Sequence, residues 1–318
     1  MIVFRDPAEV PAGFGPSVIA IGKFDGVHAG HRAVLERAKV DAASGGAQVV
    51  AVTFDRNPLS LLRPEVCPED LIGVTQKVHL LADTGIDATL VLRFDEALAA
   101  LSPRDFVERV LVNALGARTV LVGRDFRFGR GGAGNPGVLR ELGDELGFRV
   151  DVVDDVRSLD SDRRVSSTWI RELLSAGDVE TAAKLLGRPH AVWGEVVHGA
   201  KRGRELGYPT ANLAADLEGF IPADGVYAGW LVDEGPGGPR RSTRYPAAIS
   251  VGSNPTFDDV TARQVEAYVL DETDLDLYGR RVEVQFTARV RSMVAFQGAD
   301  ALIEQMGDDV TRVRALLS

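Results

Sequence analysis

A chain of 318 residues is too long for one ordinary core, so two domains are expected, and 45% hydrophobic with 26% charged residues is the composition of a folded globular protein. A formal charge of −10 argues against broad non-specific binding to nucleic acid, while leaving room for a local basic pocket. The one cysteine, Cys67, excludes an intrachain disulfide, no apolar run is long enough to span a membrane, and "MIVFRDPAEVPAGFG" lacks a signal-peptide pattern; a cytoplasmic protein with neither nucleic-acid nor membrane partner is expected.

The first half alternates between strand and helix. "SVIAIG" (Ser17–Gly22) is short and β-branched and reads as a buried strand. "HRAVLERAKVDA" carries Val34, Leu35 and Ala38 at helical spacing. Ala47–Phe54, Ala88–Phe94, Arg118–Gly123 and Phe148–Val153 read as further strands. Thr75–Gly85, Ser102–Gly116 and "GVLRELGDELG" read as helices, the second opening on Ser-Pro and closing on Gly. This order implies parallel βαβ units in a doubly wound sheet, with ligands at the carboxyl ends of strands. From about residue 190 the helical period gives way to short β-branched runs. These are "AVWGEVV", "GVYAGWLV", "RYPAAISVG", "QVEAYVL" and "RVEVQFTARVR", as in an antiparallel sheet or barrel. Glu234–Ser242 reads as an exposed loop between strands. A last helix, Asp300–Leu317, places Leu302, Ile303, Met306, Val310, Val313 and Leu317 on one face. The boundary belongs near Leu185–His190, giving domains 1–187 and 188–318.

The turn "FDGVHAGH" (residues 24–31) joins the first strand to its helix. Gly22, Gly26 and Gly30 remove side chains where backbone must approach a ligand, and His28 and His31 lie at the helix start. Two imidazoles beside unpaired helix N–H groups suit a pentavalent phosphorus and its departing pyrophosphate. The spacing alone is met as readily by two surface histidines, and a metal reading lacks an evident third ligand. "GKFDGVHAGH" resembles the H-x-G-H signature of nucleotidyltransferases, related to the "HIGH" box of class I tRNA synthetases. Such enzymes carry a second phosphate-binding signature downstream, and "RRVSSTWIRELL" supplies Ser167, Thr168 and Arg171 at a helix start. "TFDRNPLSLLRP" and "GRDFRFGRGGAG" follow two other strands. Phe126 and Phe128 are placed to stack on a planar ring, and Arg127 and Arg130 to meet phosphate, though one Phe of an alternating pair normally points inward.

"HGAKRGRELGYPTANL" (His198–Leu213) sets Gly199, Gly203 and Gly207 beside Lys201, Arg202 and Arg204, without the Walker pattern. Thr210 and Asn212 offer two hard oxygens on one side of an extended segment, which suits Mg²⁺ in phosphate company. "VGSNPTFDD" gives a second polar turn. Glu266 sits inside an apolar strand, where it either pairs with an arginine or takes a proton from a substrate hydroxyl.

Together "GKFDGVHAGH", "GRDFRFG", "VSSTWIR", "GRELGYPTANL", "PADGVYAG", "GSNPTF", "DLYGRRVEVQF" and the final helix resemble, in this order, the bacterial bifunctional riboflavin kinase/FMN adenylyltransferase family. The resemblance implies an α/β Rossmann-like nucleotidyltransferase domain followed by a six-stranded antiparallel flavokinase barrel with a C-terminal helix. It implies that the barrel phosphorylates riboflavin from Mg-ATP, with Glu266 as base, Thr210 and Asn212 holding Mg²⁺, and Gly199, Lys201 and Arg204 at the ATP phosphates. The first domain would then adenylylate FMN to FAD with a second ATP. His28 and His31 would stabilise that transition state, with Gly22, Phe24, Asp25, Gly30, Asp125, Arg127, Ser167, Thr168 and Arg171 at the nucleotide. Phe54, Asn57, Pro58, Phe126 and Phe128 would form the flavin pocket. Homo-oligomers are compatible with the family. The chain departs at "TFDRNP", where the family usually reads Thr-Phe-x-Pro-His-Pro: Asn57 replaces a histidine, and it cannot titrate near neutrality. A flavokinase with a silent first half would find support only in Asn57. A flavin-binding module without turnover would need neither the paired histidines nor "SSTWIR", and a truncated tRNA synthetase would need a K-M-S-K-S box, which the sequence lacks.

Overall fold

The β-branched run Ser17–Ile21 forms β2, whose five residues are all buried, as befits a central strand covered on both faces. Around it, β1 (Ile2–Phe4), β3 (Gln48–Phe54), β4 (Ala88–Leu92), β5 (Ala117–Gly123) and β6 (Arg149–Val153) complete a six-stranded sheet in the order β1-β4-β3-β2-β5-β6. All five pairings are parallel. The principal helices are α1 (Ala29–Ala43), α2 (Val74–Ala82), α3 (Pro103–Phe106) running directly into a π-helical stretch over Val107–Ala114, and α4 (Pro136–Leu146). Ile19, Ile21, Val50, Val52, Val120 and Val122 pack with Leu111, Leu115 and Leu139 into one core. The computed structural model describes residues 1–158, 160–199, 208–233, 242–253, 263–272, 275–294 and 299–318.

Two local features depart from the sequence reading. β1 was not expected: three residues are too few to show a period, and the strand exists through its pairing, Ile2 to Phe4 against Ala88 to Leu90. The helix over Ser102–Gly116 keeps its expected cap, Ser102 Oγ accepting from Asp105 N at 3.1 Å. Its interior nevertheless takes the wider π register, which no residue type in the segment signals.

The second compact unit, Ser167–Ser318, begins earlier than the expected boundary at 187. Helices α5 (Ser167–Ala176) and α6 (Val179–Leu186) are tied to the strands that follow. Arg289 carries much of that tie. Its backbone N–H donates to Glu180 at 3.0 Å, and its guanidinium donates to the carbonyls of Ala176 at 2.9 Å and Asp224 at 3.0 Å. Ala223 N donates to Leu174 O at 2.9 Å.

β7 (His190–Val197), β8 (Thr210–Leu213), β9 (Gly225–Asp233), β10 (Thr243–Ser253), β11 (Arg263–Val269) and β12 (Arg281–Ser292) close an antiparallel barrel in the order β10-β11-β8-β7-β12-β9. Tyr227 and Phe286 meet edge to face inside it, at 5.4 Å between ring centroids. Helix α7 (Ala299–Leu317) lays Val313 against Ala228, Leu270 and Ala288. Of the expected face, Leu302, Met306, Val310, Val313 and Leu317 are covered, while Ile303 is exposed and Asp309 is buried. The buried carboxylate is satisfied by Arg291 of β12, through bonds of 2.7 to 3.0 Å. The loop expected at Glu234–Ser242 lies outside the described residues except for Ser242, as does "VGSNPTFDD" beyond Ser253.

Candidate active sites

At the carboxyl end of β2 the chain makes a tight turn into α1. Phe24 (φ 49°) and Val27 (φ 40°) both take the left-handed conformation that side chains disfavour, a β-branched one most of all. Both are buried, so packing holds them there. The turn delivers His28 to the N-cap of α1, where its side chain makes no capping bond and the first turn holds no acid. The helix start is left open to an anion.

The imidazoles of His28 and His31 stack, with centroids 3.8 Å apart and planes at 17°, and Phe24 meets His31 edge-on at 5.2 Å. Gly30 permits the arrangement: a Cβ there would lie 3.1 Å from His28 Cε1. Nδ1 of His31 is out of contact with solvent and has no hydrogen-bond partner. Burial first, then the charges of His28, Lys77, Lys23 and Arg164, hold the His31 pKa well below the usual histidine range. His31 is thus a neutral imidazole at pH 7.

The other residues expected in this half fall at neighbouring strand ends. Gly22 N donates to Val52 O at 3.1 Å. Asp25 is buried, its carboxylate accepting from Leu71 N at 2.8 Å. Phe54 packs edge-on against Phe94 at 5.4 Å. Asn57 is buried, its Oδ1 accepting from Leu59 N at 3.2 Å at the start of the helical turn Leu59–Leu62, with Pro58 at that turn's N-cap. Asp125 is exposed and accepts from Arg164 at 3.1 Å. Phe126 stacks on Phe128 at 5.3 Å, and Phe128 in turn packs on Phe106.

Phe128 is a member of the hydrophobic core, and Phe126, two residues away and on the same side of the chain, is partly covered against that core. Arg127 lines an open cavity of about 550 Å³ with Arg124, Asn135 and Arg140; neither histidine borders that cavity. Ser167, Thr168 and Arg171 open α5, whose contacts assign it to the second unit.

Sequence reasoning missed Lys77. It is buried on α2 and its Nζ donates to Phe54 O at 3.0 Å. A signal existed, because position 77 shares the apolar helix face of Val74, Val78 and Leu81.

In the barrel, β8 and β11 pair so that Glu266 faces Asn212 and Tyr268 faces Thr210. Thr210, Asn212 and Glu266 therefore share one face. Thr210 Oγ1 approaches Glu266 at 3.4 Å, and Asn212 Nδ2 donates to Thr210 Oγ1 at 3.2 Å. Burial pushes the Glu266 carboxyl above the usual range, with Thr210 opposing. Among the described residues no arginine forms an ion pair with it. Gly199 is required where it stands: a Cβ would lie 2.5 Å from the Asn212 amide. Beside Thr210, a narrow slot is lined by Val196, Pro209, Ala211, Val269, Leu277 and Tyr278. Lys201 and Arg204 lie outside the described residues. No cluster of three His, Cys, Asp or Glu side chains suited to a metal occurs among the described residues.

Residues 12–169 match the family model described as FAD synthetase, and residues 186–317 the one described as riboflavin kinase. The chain is 34% identical to the bifunctional riboflavin kinase/FMN adenylyltransferase of Escherichia coli, covering 93% of this chain and 91% of that protein. It is 36% identical to the protein of the same description from Listeria monocytogenes, covering 95% and 92%. A crystal structure described as a macrolide-efflux protein from Streptococcus pneumoniae superposes with a TM-score of 0.83 at 30% identity, over 98% of both chains. No described helix of the present chain is long and apolar enough to cross a membrane.

Proposed function

Because this chain belongs to the bifunctional riboflavin kinase/FMN adenylyltransferase family, and so makes FMN from riboflavin and FAD from FMN, we propose that the two reactions divide between the two sites just described. Residues 1–187 would carry the adenylyl transfer and 188–318 the kinase, in the cytoplasm where ATP is supplied.

In the kinase reaction, the 5′-hydroxyl oxygen of riboflavin attacks the γ-phosphorus of ATP. Glu266 takes the hydroxyl proton as the bond to ADP breaks. A carboxyl with a raised pKa on the same strand face as Thr210 is suited to that transfer, and this register is the observation that carries the reading. Thr210 and Asn212 suit Mg²⁺, since two neutral oxygens without a carboxylate cluster fit an ion that keeps its waters and phosphate ligands. The ion would neutralise charge developing on the phosphates. Gly199 keeps the backbone bare beside Asn212, with Lys201 and Arg204 as the cations nearest in sequence.

In the second reaction a phosphate oxygen of FMN attacks the α-phosphorus of another ATP, and pyrophosphate leaves. The nucleophile is already anionic, so positioning and charge stabilisation supply the catalysis. His31 and His28 offer ring N–H groups, and the uncapped start of α1 offers backbone N–H groups. Ser167, Thr168 and Arg171 would hold the departing pyrophosphate. Phe54, Asn57, Pro58 and Phe126 would border the flavin, and Asp125 and Arg127 the nucleotide.

A time course with riboflavin and Mg-ATP, the flavins separated chromatographically, tests the division. FMN should rise and then give way to FAD. His28→Ala should stall at FMN, whereas Glu266→Gln should make no FMN yet still convert supplied FMN to FAD. Loss of both activities in a folded Glu266→Gln protein would refute the assignment.

A further inference from the structure

Lys77 has no part in the chemistry above, yet it is buried at 7% exposure on the helix face turned to the sheet. An ammonium there is expensive to desolvate, and an apolar side chain would fill the same space more cheaply. Burial lowers its pKa, while Asp25, Asp70 and Asp55 favour the charged form. Two of those carboxylates are themselves clamps. Asp25 accepts from Leu71 N at 2.8 Å, and Asp55 accepts from Phe94 N at 2.9 Å. Lys77 itself donates to Phe54 O at 3.0 Å, and Thr53 Oγ1 donates to Lys23 O at 3.1 Å. The carboxyl ends of β2, β3 and β4 are thus joined around one buried cation. The first leads into the histidine turn, and the second into Asn57 and Pro58.

We propose that Lys77 is a positioning residue for FMN adenylylation, its ammonium fixing the end of β3, and with it the segment Phe54–Pro58, against the histidine turn. The inference rests on the flavin and histidine assignments made above. The same charge adjoins His31 electrostatically, in company with His28, Lys23 and Arg164.

The test compares full-length Lys77→Met and Lys77→Gln with the parent protein, using FMN and saturating Mg-ATP. The methionine variant should raise KM for FMN about ten-fold or more, the worth of one charge-assisted hydrogen bond, with a smaller fall in kcat. Glutamine keeps a donor for the Phe54 carbonyl and should recover part of that loss. In both variants the ring resonances of His31 should titrate at higher pH, because a neighbouring positive charge is gone. Conversion of riboflavin to FMN is the internal control and should be unchanged. Should the methionine variant lose kinase activity as well, the glutamine variant decides by the same KM and titration. An unchanged KM for FMN with an unchanged His31 titration overturns the proposal, even if the protein melts at a lower temperature. His28→Ala, measured alongside, separates the two failures: if it too makes FAD normally, the site reading falls and not merely the role of Lys77.

Discussion

Two imidazoles 3.8 Å apart cannot both carry a charge cheaply, and burial adds to that penalty at His31. A triphosphate at the helix start reverses the balance, since an anion favours the protonated ring. ATP binding to the first unit should therefore draw a proton from solution near neutral pH. Binding enthalpies measured in two buffers of different ionisation heat should differ, and in His31→Gln the difference should shrink. Glu266 runs the other way. In the proposed role of base it would work only when deprotonated, and burial raises its pKa above the ordinary 4.5. Kinase kcat/KM should accordingly fall on acidification at a higher pH than an ordinary carboxylate would give. Thr210→Val removes the hydrogen bond that favours the anion, so that limb should move higher still. Both groups were legible in the sequence because their residue types are out of place where they stand: histidines among glycines, a glutamate within an apolar strand. Phe126 and Phe128 stack on one another against a single core, and how deeply each is covered depends on packing from distant residues such as Phe106, which local sequence does not show.

Turns and strand registers turn these residues into sites. Gly30 lies within α1, where alanine would ordinarily stabilise the helix by about 1 kcal/mol. Gly30→Ala should hold or raise the melting temperature yet slow FAD formation about ten-fold, because its Cβ crowds His28. Gly199→Ala meets the Asn212 amide at 2.5 Å and should depress the kinase reaction alone. The glycine patterns that mark both positions are visible in sequence. The expected strands of both halves were visible too, because buried parallel strands and barrel strands carry continuous or alternating β-branched runs. What escaped has physical reasons. β1 exists only through its partner, the π stretch has no compositional mark, and Asp309 is buried because a distant Arg291 satisfies it.

At the scale of the chain, helices α5 and α6 pack with the strands that follow them, which period and spacing could not reveal because the tie is made by Arg289, more than a hundred residues away. A fragment beginning at Ser167 should unfold in urea at a higher midpoint than one beginning at Arg188, which lacks Ala176 and Glu180, partners of Arg289, and Leu174, the partner of Ala223. The difference should be about 2 kcal/mol or more. The barrel also carries a pH dependence of its own. His190 is buried with Nε2 2.6 Å from Phe220 O, and burial lowers its pKa from 6.5 to about 4. Between those values the unfolded chain binds a proton that the folded one refuses. The stabilisation is therefore complete above about 6.5 and lost as pH falls toward 4, a span of about 3 kcal/mol that urea midpoints would report. The two sheets will also fail differently under stress. Among the described residues the barrel is closed and presents no free strand edge to another chain. The parallel sheet is guarded on one side only by the three residues of β1, behind which every residue of β4 is buried. If those three residues peel away, an apolar strand is left with an unpaired rim, so stickiness between molecules should begin at the amino-terminal end, before either barrel or catalysis is lost.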